Sequence, residues 1–269
     1  MPRRDHGRDS RDTLIVKSTR PLVLIANDDG IAAEGIQALQ RALSDIADTI
    51  VCAPETNQSA TSHSLSLHRI LRLRRVDASR FALDGTPADC IYVALHSGTR
   101  ILPRRPDLVV SGINQGVNLG IDVIYSGTIA AAREAALRGI PAIAFSADMP
   151  ANMASAAALG ARIAAQVLTE PRGRTALLNV NFPKANHFEI RATRIGARLY
   201  EEEVVYRRDP RGQEYLWIGG ATARHDHVSG SDTEAYDQDC VSITPLTLDL
   251  FAEKDAGIAT RIADAMNHR

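Results

Sequence analysis

The sequence predicts an α/β protein: a Rossmann-like, doubly wound, mostly parallel sheet in three α/β/α layers, followed by a β-rich arm. Apolar runs ending in small polar residues recur as PLVLIANDDG, DTIVCAP, PDLVVSGIN, PAIAFS and LLNVNFP. Stretches with helical character lie between most of them, and the rhythm stops after about residue 188. A strand buried on both faces reads as an unbroken apolar run, and strands alternating with helices build parallel sheets.

The elements follow in order. Residues 1–20 carry five Arg, one Lys and three Asp with little apolar periodicity, which predicts a flexible, solvated extension. From Pro21 the first strand runs into Asn27-Asp28-Asp29-Gly30. Ile36, Leu39 and Leu43 then mark a helix, and DTIVCAP gives a second strand closed by Pro54. HRILRLRRVDASRFALDGTP alternates like a small antiparallel excursion, and a helix starts near Pro87. After PDLVVSGIN, the alanine-rich residues 127–138 predict a helix ended by Gly139 and Pro141. PAIAFS, a helix over 151–169 and LLNVNFP complete a core spanning 21–187. Residues 188–269 read as short strands, a two-strand arm around DPRGQ, a polar loop (SGSDTEAYDQD), a strand in VSITPLTLDLF and a final helix. Such an arm cannot bury itself alone and predicts subunit contacts.

Composition narrows the function classes. A chain of 269 residues and 29.1 kDa suits one large core with an extension. A net charge of −1 gives no general attraction to nucleic acid or an anionic membrane, so no specific nucleic-acid partner is expected and any phosphate must meet a local site. Cys52, Cys90 and Cys240 are odd in number and widely spaced, as in a reduced cytoplasmic protein. No run approaches the length of a membrane span, and the first twenty residues are too charged for a secretory signal.

Ligands of parallel α/β sheets bind beyond the carboxyl ends of the strands. Three such ends stand out: Asn27-Asp28-Asp29-Gly30; the loop holding Asn57, Gln58, Ser59, Thr61, Ser62 and His63; and Ser111-Gly112-Ile113-Asn114. Adjacent carboxylates repel unless a cation sits beside them, and an oxygen-rich shell suits Mg²⁺, Mn²⁺ or Ca²⁺. The same Asp-Asp-Gly also suits a turn that caps the next helix. Downstream, Tyr125-Ser126-Gly127-Thr128 leads into the alanine-rich helix, where backbone N–H groups and two hydroxyls make a phosphate cradle or a simple helix cap. ANDDGIAAEG lacks the GxGxxG of a dinucleotide site. Neighbouring Asp28 and Asp29 cannot share a strand face as the DxD of an aspartyl-phosphate phosphatase does. A receiver-like signalling domain or a non-catalytic nucleotide-binding domain remains the alternative of another class; the receiver would need an acceptor aspartate where Asn114 stands and a late lysine, for which Lys184 is the candidate.

At these residues the sequence closely resembles the SurE survival-protein family of 5′/3′-nucleotidases. The resemblance lies in LIANDDGIAAEGIQAL, VCAPETNQSATSHSLSL, LDGTPADCIYVAL, PDLVVSGINQGVNLGIDVIYSGTIAAAREA, LNVNFP, DPRGQEYLWIGG and VSITPLTLDL, in family order. It implies a metal-dependent phosphatase acting on nucleoside monophosphates, with short polyphosphate as a further substrate in some members. It also implies one Mn²⁺ or Mg²⁺ per subunit on Asp28, Asp29, Ser59 and Asn114, and a homodimer or homotetramer built by a swapped arm. Asn118, Ser126, Gly127 and Thr128 are expected to grip the phosphate, with Asp28, Asp29 and Asn114 at the catalytic centre. Ser62 and His63 are candidates for protonating the leaving group. Two departures are visible. Ala32-Ala33-Glu34-Gly35 replaces the family's usual His-Ala-Pro-Gly, placing Glu34 near the metal entrance, and Asp239-Cys240 replaces a late Gly-Tyr, a change expected to touch packing or the subunit contact.

Overall fold

The first βαβ unit comprises β1 (Leu22–Ala26), α1 (Glu34–Leu43) and β2 (Asp48–Pro54). The computed structural model describes residues 20–148, 153–171, 176–184, 189–200, 204–218 and 223–267; the 1–20 extension, apart from Arg20, lies outside them. β3 (Leu73–Arg75) and β4 (Arg80–Leu83) form the antiparallel excursion, and β4 also pairs parallel with β2, so it belongs to the main sheet. Helix α2 (Pro87–His96) opens on a reciprocal cap: the Thr86 hydroxyl accepts from the Asp89 N–H while the Asp89 carboxylate accepts from the Thr86 N–H. The core continues through β5 (Leu108–Gln115), α3 (Asp122–Tyr125), α4 (Gly127–Leu137), β6 (Ala142–Ala147), α5 (Met153–Thr169) and β7 (Leu177–Phe182).

These strands belong to a nine-stranded sheet, and the six from β4 to β7 lie in the order β4-β2-β1-β5-β6-β7, all parallel. The winding reverses between β1 and β5, which makes their carboxyl ends the topological switch point where doubly wound sheets bind ligands. Helices α1 and α5 cover one face with Ile36, Leu39, Ala156 and Ala157, and α2 and α4 cover the other with Cys90, Ile91, Ile129 and Ala132. The inner layer is thus apolar on both sides, as the unbroken strand runs predict. α1 lies so close to β5 that a Cβ on Gly35 would stand 2.0 Å from the Ile113 carbonyl oxygen.

Beyond residue 187 the chain adds β8 (Ile190–Ala192), β9 (Ala197–Tyr200), β10 (Val204–Arg208), β11 (Glu214–Ile218) and β12 (Ala223–Asp226). After α6 (Asp232–Asp237) and β13 (Val241–Pro245) comes α7 (Ala256–Asn267). β13 returns antiparallel to β7 and carries β8 on its other side, so this segment extends the main sheet as well as projecting from it. Among the described residues β10 and β11 pair only with each other, as the arm around DPRGQ predicts.

One expectation differs. SGSDTEAYDQD is not a plain polar loop: it contains α6, because the Ser231 hydroxyl accepts from the Glu234 N–H and starts a helix. The fully buried Asp232 accepts from the Gly120 and Gly196 N–H groups at 3.1 and 2.7 Å. Its polarity serves internal bracing of two loops, which a composition reading does not reveal.

Candidate active site

Asn27, Asp28 and Asp29 leave β1 at the switch point. Asp28 is 4% exposed, its neighbour Asp29 half-buried. The Gln58 N–H donates to the Asp28 carbonyl at 2.7 Å, drawing the loop after β2, and Ser59 with it, to the end of β1. The Gln115 N–H donates to Asp29 Oδ2 at 3.1 Å, joining the end of β5 to the same place. The three strand ends singled out in the sequence therefore meet.

The start of α4 completes the site from the far side. The Thr128 N–H donates to Asp28 Oδ2 at 3.1 Å and the Thr128 hydroxyl donates to Asp28 Oδ1. Gly127 permits this approach, since a Cβ there would lie 2.9 Å from the Asp28 Cβ. Ser126 caps the helix by accepting from the Ile129 N–H at 3.2 Å, which leaves its own hydroxyl hydrogen to donate.

Burial pushes the Asp28 carboxyl from an ordinary 3.8 to about 6, with the Asp29 charge adding and the Thr128 hydrogen bonds opposing. Burial also raises Asp29, against the hydrogen bond from Gln115. Among the described residues no cationic side chain forms an ion pair with either carboxylate. Two adjacent carboxylates, partly desolvated and without a counter-charge, fit a hard divalent cation. The neutral oxygens fit too. Asn114 donates its amide to the Gly116 carbonyl at 2.7 Å, freeing Oδ1, and Ser59 Oγ donates to Asn57 Oδ1 at 2.7 Å, freeing its lone pairs. Among the described residues no cluster of three or more His, Cys, Asp or Glu side chains could hold a metal; this candidate shell draws half its donors from Ser and Asn.

Asn118 sits deeper and nearer β6 and β7. Its amide donates to Ser146 Oγ at 2.7 Å, its N–H donates to Asn181 Oδ1 at 2.7 Å, and its carbonyl accepts from the amides of Asn179 and Asn181. Sequence reasoning missed these partners, although Asn at 179 and 181 in an otherwise apolar strand places two amides on one face. It named His63 but missed its partner: the ring lies 2.9 Å, through Nε2, from Oε2 of the buried Glu134. A single acid inside AAAREAAL was the available signal. Glu34 is exposed in the first turn of α1, and Lys184 pairs with Asp148 at 3.5 Å.

Fold and site together define a doubly wound α/β protein with a carboxylate-rich ligand site at its switch point, facing a helix N-terminus. Residues 23–202 match the family described as Survival protein SurE, and the chain belongs to that family. The protein named 5′-nucleotidase SurE from Sorangium cellulosum is 62% identical over 252 residues, 92% of this chain and 98% of its own length. The one of the same name from Deinococcus radiodurans is 43% identical over 257 residues, covering 91% and 93%. The solved SurE protein from Aquifex aeolicus superposes with a TM-score of 0.79 at 36% identity, covering 90% of this chain and 100% of that one.

Proposed function

We propose that the chain is a divalent-metal-dependent phosphomonoesterase that hydrolyses nucleoside 5′-monophosphates, and 3′-monophosphates, to nucleoside and phosphate, with short polyphosphate as a further substrate. The observation that carries this reading is the Asp28 carboxylate: buried at the switch point, beside a second carboxylate, without a cationic partner among the described residues and gripped by the start of α4. The name shared by relatives from Sorangium cellulosum and Deinococcus radiodurans supports the same activity.

Asp28, Asp29, Ser59 and Asn114 would hold one Mn²⁺ or Mg²⁺ per subunit. Such a cation, when bound, supplies Lewis acidity toward a phosphoryl oxygen and lowers the pKa of water to near neutrality. The chain's own groups do the rest. Thr128 holds Asp28 in place and lowers the cost of its ionised form. The Gly127 N–H and the Ser126 hydroxyl, at the positive end of α4, would meet the phosphate anion, and Asn118 is the further contact we infer for it. Fixed donors of this kind stabilise a phosphoryl transition state electrostatically.

The receiver-like alternative loses ground because Lys184 is engaged with Asp148 and Asn114 occupies the acceptor's place. The decisive assay mixes purified protein with a nucleoside monophosphate, with and without Mn²⁺, and repeats it for Asp28→Asn. Metal-dependent phosphate release that the substitution abolishes is the expected result; metal-independent turnover, or full activity in the variant, sinks the reading.

The arm supports a homodimer or homotetramer. Tyr206, Leu216, Trp217 and Ile218 on β10 and β11 are exposed, as are Ile258, Ile262 and Met266, spaced by four along α7. A monomer in light scattering at micromolar concentration would overturn that part. Cys52, Cys90 and Cys240 are free and buried, which supports a reducing, cytoplasmic setting, and no helix among the described residues is long and apolar enough to cross a membrane.

A further inference from the structure

The loop that brings Ser59 to the site contains two non-glycine residues with left-handed backbone, Ala60 at φ 59° and Ser62 at φ 53°. Such a conformation is strained for a residue with a Cβ and persists only where surrounding contacts enforce it. Some of those contacts are short-range: the Thr61 hydroxyl donates to the Gln58 carbonyl at 2.9 Å. Others reach α3, where the Ser62 N–H donates to the Tyr125 carbonyl at 3.0 Å and the Ser62 hydroxyl to the Ile124 carbonyl at 2.8 Å. The contact that reaches furthest is His63 Nε2 to Glu134 Oε2, 2.9 Å, spanning 71 residues.

Glu134 is an unusual anchor. It lies in the middle of α4 and is 1% exposed, yet it is doubly held: His63 meets one oxygen, and Arg138 donates to the other through Nε and Nη2 at 3.1 and 2.9 Å. Burial alone would raise its carboxyl, but the hydrogen bonds from His63 and Arg138, with their charges, hold it below the ordinary range. It is therefore a fixed anion. Seven residues separate it from Gly127, which is about two turns or ~10 Å of helix. His63 Nε2 is thus engaged by a side chain that springs from about two turns into α4, not by the hydroxyls at its start.

We propose that His63 is a positioning residue: anchored on buried Glu134, it locks the strained Ser59–Ser62 loop against α4 and so sets the Ser59 hydroxyl for the cation, rather than protonating the leaving group. The metal role of Ser59 rests on the function proposed above; the bracing of the loop does not.

The test uses the full chain and three measurements: hydrogen exchange over residues 57–66, Mn²⁺ affinity by calorimetry, and the pH profile of kcat. His63→Ala removes the donor, and His63→Gln places an amide donor near the position of Nε2. For His63→Ala, exchange over 57–66 quickens without a matching rise elsewhere, and the Mn²⁺ dissociation constant increases about tenfold or more, as when a group orienting a ligand is lost. His63→Gln restores most of both. Should His63→Ala fold too poorly, Glu134→Leu removes the acceptor and must give the same local loosening. Unchanged exchange in the loop overturns the proposal. So does a lost basic limb of kcat with unaltered Mn²⁺ affinity, because that outcome marks a proton donor. A wild-type chain that neither binds Mn²⁺ nor releases phosphate overturns the proposed function instead, and the exchange data still decide whether His63 braces the loop.

Discussion

The N–H and the hydroxyl of Thr128 both donate to the carboxylate of Asp28, one to each oxygen, across 100 residues of sequence. Thr128 was expected to touch phosphate; in the structure its hydroxyl donates to an acid at the end of β1. Thr128→Ala removes the side-chain hydrogen bond to a buried carboxylate, a contact worth about 1.5–3 kcal/mol. We expect kcat/KM to fall roughly ten- to a hundredfold, with Thr128→Ser retaining most activity. Steady-state kinetics on the two variants with one nucleoside monophosphate checks this, and equal losses in both would refute it.

Asp28 also makes a pH prediction whose sign is fixed. Its folded-state value of about 6 lies above the ordinary 3.8, so between these values the folded chain binds more protons than the unfolded one. Stability contributed by this group is therefore present at the acid end and lost as pH rises from about 4 to about 6. Chelator-treated protein is expected to gain stability from this group on going from pH 7 to pH 5. Asp28→Asn, which cannot titrate, should flatten that contribution. Cation binding runs the other way: below pH 6 it must displace a proton, so affinity falls up to about tenfold per pH unit. Thermal melts at pH 5 and 7, with and without Mn²⁺, resolve both trends.

Asp239 is a stability defect of a different kind. The family resemblance places glycine at this position, and here Asp239 carries a left-handed φ of 54° immediately after α6, with its N–H donating to the Tyr236 carbonyl at 3.0 Å. That is where a helix most often ends on glycine. The side chain is exposed, and among the described residues it makes no hydrogen bond or ion pair that offsets the strain. Asp239→Gly should stabilise the chain by about 1 kcal/mol, raising Tm by roughly 2–4 °C. A lowered Tm would show that Asp239 serves something else, such as a subunit contact.

How much of this could be read from the sequence depended on periodicity. The five buried strands and the helices between them were legible because each apolar run is unbroken and each helix has its own spacing or terminator, such as Gly139 and Pro141 after α4. The acidic pair was legible because charge at the end of a buried strand has few explanations. What stayed hidden was long-range polar pairing. Nothing local links Thr128 to Asp28, His63 to Glu134, or Asp232 to Gly120, since each pair is made only when the sheet order β2-β1-β5-β6-β7 brings distant loops together. For the same reason SGSDTEAYDQD looked like a solvated loop although Ser231, Asp232 and Thr233 are buried.

The last hidden contact yields the sharpest test of the crevice wall. Asn181 on β7 accepts from the Asn118 N–H at 2.7 Å and donates to the Asn118 carbonyl at 3.2 Å, so one side-chain amide satisfies both backbone groups of a buried loop residue. Asn179 reinforces the carbonyl at 2.8 Å. Asn181→Leu keeps the γ-branched outline, with a larger side chain, but strands the Asn118 N–H without a partner in a buried site, at a cost of about 1–3 kcal/mol. The carbonyl keeps Asn179, so the loop should loosen without unfolding the sheet. If Asn118 borders the substrate, KM for a nucleoside monophosphate rises several-fold in Asn181→Leu while Mn²⁺ affinity, proposed to be set by Asp28, Asp29, Ser59 and Asn114, stays near wild type. A Tm drop of the expected size with unchanged KM would leave Asn118 a structural residue and remove it from the substrate site; a Mn²⁺ affinity that falls in step with KM would place the two halves of the crevice in one coupled unit.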